Sequence, residues 1–183
     1  NIAVALYAIV NLHGFVVLGT NGEYVMLTED EKAQLFETAR QAIPRNKLFF
    51  AGTGCESTRA TMALTKRAAE IGADAVMVVT PHYYKSQINH ATLVNHFRIV
   101  ADASPVPVLI YNMPAATGID MEAATVIELS KHPNIVGIKD SSGNVTKFAE
   151  VLRSVRPDFA LLAGSGAYLY PAMMVGARGC VAA

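Results

Sequence analysis

The stretch "HPNIVGIKDSSG", His132 to Gly143, is a strand-like run that ends in a charge. Ile135, Val136 and Ile138 belong out of water, yet the run closes on Lys139, a side-chain type rarely fully buried unless paired. Side chains alternate along a strand, so Ile135, Gly137 and Lys139 share one face while Val136 and Ile138 share the other. If the second face packs on helices, Lys139 points inward at the C-terminal end of its strand, with Gly137 leaving room beside its stem. The competing reading pairs Lys139 with Asp140 or sends it into solvent.

The same pattern recurs along the chain. "GFVVLG", "KLFFAG", "ADAVMVVTP", "PVPVLIYN", "FALLAG" and "RGCVAA" are short, nearly continuous apolar runs, as expected of parallel strands covered on both faces. Amphipathic segments with readable ends lie between them. Thr28 and Glu31 have capping-box spacing, and Gly72 stands where a helix-ending glycine belongs. Leu93, Phe97 and Val100 mark one helical face, and Val145, Phe148, Leu152 and Val155 mark another that starts at Asn144. Asp120 is read as the N-cap of a helix ending at Lys131 and His132. This alternation, without a linker, predicts one α/β domain over residues 1–183. Polar residues gather after nearly every strand: Thr20-Asn21, Thr53, Thr80, Tyr111-Asn112, Lys139-Asp140-Ser141 and Ser165. A barrel builds its site from the ends of many strands, whereas an open sheet uses one switch point, so the expected fold is a (β/α) barrel.

Composition narrows the function classes. The 183 residues are 52% hydrophobic and 16% charged, with 15 basic and 15 acidic side chains and no block of one sign. That supplies a sizeable core and offers nothing for nucleic acid or an acidic membrane to recognise. The apolar run Ile2 to Val10 is too short to span a bilayer and lacks signal-peptide features. Cys55 and Cys180 lie far apart, which suits reduced thiols in an intracellular protein of the cytoplasm or mitochondrial matrix. The five histidines show no metal-ligand pairing, so a metal is not expected; no other cofactor is expected either.

Alternation along "VLIYNMP" turns Leu109 and Tyr111 inward, so a phenol and an amine could meet at the tops of neighbouring strands. That pair suits Schiff-base chemistry: a neutral lysine amine attacks a carbonyl, and a phenol moves the protons of carbinolamine formation and collapse. In "GTNGE", Gly19 to Glu23, glycines permit a tight turn, and Thr20 and Asn21 add donors suited to a carboxylate. "AGSG", Ala163 to Gly166, is similar to the phosphate loops after late barrel strands. The tyrosines of "PHYYK" suit packing, a substrate contact or a subunit interface.

Together, "GTNGE", "VVTPHYY", "YNMPAATG" and "GIKDSSGN" resemble, in order and spacing, the pyruvate-dependent class I aldolases typified by dihydrodipicolinate synthase and N-acetylneuraminate lyase. The resemblance covers almost the whole chain. It implies a (β/α)8 TIM barrel, with Lys139 as the Schiff-base lysine and Tyr111 as the proton-transfer tyrosine. Thr20 and Asn21 would hold the carboxylate of a pyruvate moiety. Tyr83, with Tyr84 as the alternative, would complete a hydroxyl relay from a neighbouring subunit, so a homo-oligomer is implied. In the lysine-biosynthesis members an arginine that grips the second substrate stands where this chain has Ala116. A methyl group cannot replace a guanidinium fork. "GCEST" and "KDSSGNVT" are most similar to 4-hydroxy-2-oxoglutarate aldolases, which cleave their substrate to pyruvate and glyoxylate, and by that similarity Ser141 and Gly164 contact substrate. The alternatives are 4-hydroxy-tetrahydrodipicolinate synthase, a 2-keto-3-deoxy sugar-acid aldolase, or an inactive or merely oxo-acid-binding chain. Against the family pattern, the first strand and the C-terminal helices are expected to be missing, with "NIAVALYAIVNLHG" a remnant of the first helix.

Overall fold

Seven short runs of β-branched, aromatic and alanine residues form a single parallel sheet whose strand order follows the sequence, β1 to β7. The strands are β1 (Gly14–Val17), β2 (Leu48–Gly52), β3 (Ala75–Val79), β4 (Val108–Asn112), β5 (Ile135–Asp140), β6 (Ala160–Ala163) and β7 (Gly179–Cys180). The computed structural model describes residues 12–182. The proposed helical remnant before Gly14 therefore lies largely outside the described residues. Helices connect the strands: α1 (Glu29–Ala42), α2 (Thr58–Ile71), α3 (His90–Ala103), the single turn α4 (Pro114–Thr117), α5 (Ala123–Leu129), α6 (Val145–Leu152) and α7 (Leu169–Met174).

Local chemistry explains several of these ends. Thr28 and Glu31 form the reciprocal capping box of α1, Gly72 closes α2 at φ 101°, and the Asn144 side chain accepts from the Lys147 backbone N–H to start α6. One expected cap is wrong. Glu122, not Asp120, precedes α5, and it makes no side-chain cap. That helix also stops at Leu129, short of Lys131 and His132. Asp120 is instead drawn into an ion pair with the buried Lys147, described below.

The sheet has two distinct faces. Val76, Val78, Val108, Ile110, Ile138 and Leu161 belong to the core shared with the helices, where Phe97 and Phe148 are completely buried. Burying a side chain of that size contributes about 1.5–3 kcal/mol. The other face carries Met77, Val79, Leu109 and Tyr111, with Val16 of β1, Phe50 of β2 and Leu162 of β6 packed against them. Strands at opposite edges can reach one central cluster only if the sheet curls, as a (β/α) barrel wall does. Among the described residues β1 pairs only with β2 and β7 only with β6, so the curl does not close.

A register shift between β4 and β5 refines the face assignment. Val108 lies opposite Ile135, but Leu109 lies opposite Gly137, leaving Val136 as the extra residue of a bulge. Ile135 therefore joins Ile138 in the outer core and does not share a face with Lys139. Gly137 has a different role from the one expected. A Cβ there would lie 2.2 Å from the Ala160 carbonyl oxygen, so glycine permits close approach of β6 and is not a space kept for the lysine stem.

Candidate active site

Three side chains converge at the C-terminal ends of β1, β4 and β5. Tyr111 and Lys139 are register partners on adjacent strands. The Lys139 Nζ lies 4.0 Å from the centre of the Tyr111 ring, and the Tyr111 hydroxyl is 3.0 Å from the Thr20 hydroxyl. Tyr111 and Lys139 are 3% and 7% exposed. The Lys139 side chain makes no hydrogen bond or ion pair with any described residue. Its neighbour Asp140, which offered the mundane explanation of the strand-end lysine, is committed elsewhere.

The Asp140 carboxylate points to the opposite side of β5. It lies 2.9 Å from the Lys147 ammonium and accepts hydrogen bonds from the Asn112 amide at 3.1 Å and the Ser142 N–H at 2.7 Å. Lys147 also donates to Asp120 at 2.6 Å, and Asn112 donates to the same Asp120 oxygen at 2.7 Å. Asn112 is the register partner of Asp140, just as Tyr111 is of Lys139. One pair of strand ends thus presents the phenol and amine inward and a locked amide–carboxylate pair outward. Sequence reasoning counted Asn112, Asp140 and Thr53 among the polar residues of one rim. Thr53 likewise faces outward, 2.9 Å from Thr65 of α2. The usable signal was strand parity: each of these residues is one step from an inward-facing position.

The turn carrying Thr20 is built differently from expectation. Thr20 to Gly22 form a single 3-10 turn, and the left-handed residues flanking it are Leu18 at φ 62° and Glu23 at φ 51°, not the glycines. Such conformations cost about 1–3 kcal/mol in non-glycine residues and persist where surrounding structure fixes them. Here Gly52 is part of that surrounding structure, because a Cβ on it would lie 2.1 Å from the Leu18 carbonyl oxygen. Asn21 is exposed in the same turn, with no side-chain hydrogen bond among the described residues. Tyr24 follows and packs against the inward cluster. Burial, then the charges of Glu56, Tyr111 and Cys55, push its phenol up to about 12, so it stays protonated.

Ser141 and Gly164 do come together, at the ends of β5 and β6. A Cβ on Gly164 would fall 1.9 Å from the Ser141 hydroxyl oxygen, so only glycine fits beside it. The Gly164 N–H donates to the Asp140 carbonyl at 2.9 Å, and Tyr168 closes the corner by donating its hydroxyl to the same carbonyl at 3.0 Å. Burial raises the Tyr168 pKa, a shift opposed by the Gly164 N–H bonded to its oxygen. In "AGSG" the Gly164 amide is thus already engaged and the Ser165 side chain accepts from Ala167, which leaves that loop poorly equipped for phosphate. Tyr168 gave no sequence signal beyond its presence near the strand end.

Tyr83 stands apart from the cluster. It is 74% exposed and packs edge-on against Tyr84 with ring centres 5.0 Å apart. Its loop is tied down by Glu56, whose carboxylate accepts the backbone N–H of His82 at 2.9 Å and of Tyr83 at 2.8 Å. Cys55 is half-buried and Cys180 exposed, both as free thiols. No helix among the described residues is long and apolar enough to cross a membrane.

Comparison with known proteins matches this geometry to a family. The dihydrodipicolinate synthetase family model matches residues 5–183. A 4-hydroxy-tetrahydrodipicolinate synthase of Oceanobacillus iheyensis is 39% identical over 168 residues, covering 92% of this chain and 56% of the relative. A probable mitochondrial 4-hydroxy-2-oxoglutarate aldolase of Emericella nidulans is 41% identical over 174 residues, with the same coverage of 92% and 56%. Among solved structures, a dihydrodipicolinate synthase of Bacillus anthracis superposes with a TM-score of 0.92 at 37% identity, covering 98% of this chain and 61% of that one. The enzyme of Acinetobacter baumannii, complexed with pyruvate, superposes with a TM-score of 0.93 at 31% identity, covering 99% and 62%. The chain therefore spans a little over half the length of the relatives it matches. The chain belongs to the dihydrodipicolinate synthetase family.

Proposed function

We propose that the whole protein is a (β/α)8 barrel acting as a class I aldolase that cleaves a 4-hydroxy-2-oxo acid, with 4-hydroxy-2-oxoglutarate as substrate and pyruvate and glyoxylate as products. The carrying observation is the Lys139 amine over the Tyr111 ring, with no carboxylate partner among the described residues, beside a Thr20–Tyr111 hydroxyl pair. The Lys139 amine attacks C2 of the substrate and water leaves, giving an imine. Deprotonation of the C4 hydroxyl then breaks the C3–C4 bond. Its electron pair moves into the protonated imine to form an enamine, and glyoxylate departs. Protonation at C3 and hydrolysis release pyruvate and restore the amine. Tyr111 moves these protons, and its bond to Thr20 gives the proton a second hydroxyl to travel through.

In this reading Thr20 serves the relay, while Asn21 and the backbone of its turn receive the C1 carboxylate. Ser141 and Gly164 shape the opposite wall. Tyr83 has no role within its own subunit, and its exposed loop suits completion of the relay in a neighbouring copy of a homo-oligomer. Ala116 supports the choice of substrate over 4-hydroxy-tetrahydrodipicolinate synthesis, since it offers no guanidinium to a second substrate. The similarity to synthases of that reaction keeps it as the second reading. Borohydride reduction in the presence of pyruvate should leave one carboxyethyl group on Lys139. An intact, folded protein labelled elsewhere, or unlabelled, rules the mechanism out. Turnover of 4-hydroxy-2-oxoglutarate against condensation of pyruvate with aspartate semialdehyde then separates the two substrates.

A further inference from the structure

The proposed substrate carries a second carboxylate, at C5, and a cation is the natural group to receive it. The segments linking β1 to β6 to the helices that follow them form the rim above Lys139: residues 18–28, 53–57, 80–89, 113–122, 141–144 and 164–168. Their charged residues are Glu23, Glu56, Asp120 and Glu122, and a single lysine or arginine, Lys85. Lys85 opens the short 3-10 turn after the tyrosine pair, in the segment that follows β3.

Lys85 is exposed, but its side chain lies along the protein surface. It crosses to the segment that follows β4 and lies on Gly118, where a Cβ would sit 2.9 Å from its Nζ and 3.2 Å from its Cε. Gly118 is left-handed at φ 68°, so the position both requires glycine and leaves the lysine its seat. The same segment contributes Met113 to the inward cluster and is therefore a wall of the site. No acid holds the ammonium there: among the described residues Lys85 has neither an ion pair nor a side-chain hydrogen bond. Nearby cations are engaged otherwise. Lys32 lies over the Tyr24 ring, and Lys147 is locked between Asp120 and Asp140. Arg59, exposed in the first turn of α2, is the remaining rival.

We propose that Lys85 is the specificity-determining residue that receives the distal carboxylate of a 2-oxo dicarboxylic acid, an inference that rests on the aldolase reading of Lys139. It supplies the charge that Ala116, two residues before the Gly118 seat, does not.

The test traps the imine on Lys139 with borohydride over graded concentrations of 2-oxoglutarate and of 2-oxopentanoate, which has the same carbon chain without the terminal charge. The full chain should half-saturate at a lower concentration of the dicarboxylate. Lys85→Met should reduce that preference about tenfold, within the range of a charge-assisted hydrogen bond, and Lys85→Arg should retain it. The adduct with 2-oxopentanoate shows that each variant is folded. An unchanged preference in Lys85→Met, no preference in the parent chain, or loss of preference in Arg59→Met instead overturns the assignment while the Lys139 reading stands. If the parent chain forms no adduct with either acid or with pyruvate, the aldolase reading fails and this inference with it.

Discussion

Lys139 and Lys147 are both under a tenth exposed, at 7% and 8%, and they flank one strand end on opposite sides. Lys147 has what a buried cation requires: Asp120 at 2.6 Å, Asp140 at 2.9 Å and the Met121 carbonyl at 3.3 Å. Lys139 has an aromatic face at 4.0 Å and no acid among the described residues. The residue beside it in sequence is an aspartate, yet strand alternation turns that carboxylate outward and Lys147 captures it. Anchorage and the proposed chemistry are thereby separated by a single residue step. The outward pair fixes the strand ends, and the inward amine is left without the ion pair that would hold it away from a carbonyl carbon.

Substituting the two lysines should give opposite outcomes. Lys139→Met should abolish the borohydride-trapped adduct entirely, the largest effect expected, while leaving the melting temperature equal to or above that of the parent, because no ion pair is lost. Lys147→Met should do the reverse to the fold. It strands Asp140 in the core and removes a partner from half-exposed Asp120, costing roughly 2–4 kcal/mol in denaturant unfolding once that exposure is allowed for. Adding Asp140→Asn to Lys147→Met should recover part of the loss, since a neutral amide needs no counter-charge. Equal destabilisation by the two single lysine substitutions would break the contrast between them.

Much of this arrangement was legible in the sequence because it depends on local periodicity. The seven apolar runs, the capping box at Thr28, the glycine stop at Gly72 and the inward turn of Tyr111 all follow from period and propensity. What escaped depends on partners distant in sequence or on a break in the period. The bulge at Val136 changes the face of Ile135, which no alternation rule could foresee. Asp120 abandons its cap for Lys147, 27 residues on. The role of Gly137 is set by a carbonyl of β6, and the strain around Thr20 falls on Leu18 and Glu23 although glycines lie within reach. Of the candidate site, the juxtaposition of Lys139 and Tyr111 was readable from parity, whereas the closeness of Ser141 and Gly164 depends on how β5 and β6 pair. The Thr20–Tyr111 bond required the fold.

A third buried base sharpens the contrast at a smaller scale. His96 on α3 is 4% exposed, its Nδ1 lies 2.9 Å from the Thr58 hydroxyl, and its Nε2 is buried without a partner. Burial lowers its pKa from 6.5 to about 4, a shift only partly opposed by the charge of Glu56. The unfolded chain therefore binds a proton near pH 6.5 that the folded chain refuses until about pH 4. Between those values the unfolded state carries more protons, so stability rises with pH and is lost as pH falls. The loss should reach roughly 2 kcal/mol by about pH 4.5, at 1.36 kcal/mol per unit of pKa difference. His96→Gln keeps an acceptor for Thr58 but cannot titrate. Its unfolding free energy, measured by urea titration from pH 7 to pH 4.5, should fall less steeply than that of the parent by about this amount. Parallel curves would mean that His96 finds a counter-charge or water on protonation. A shallower curve for His96→Gln would instead leave the three buried bases following two rules: Lys147 is held by acids, while His96 is neutral and paired with no acid among the described residues. Lys139 shares with His96 the lack of an acid partner among the described residues, but stands beside a phenol at the mouth of the sheet, where the proposed mechanism needs an amine without a partner.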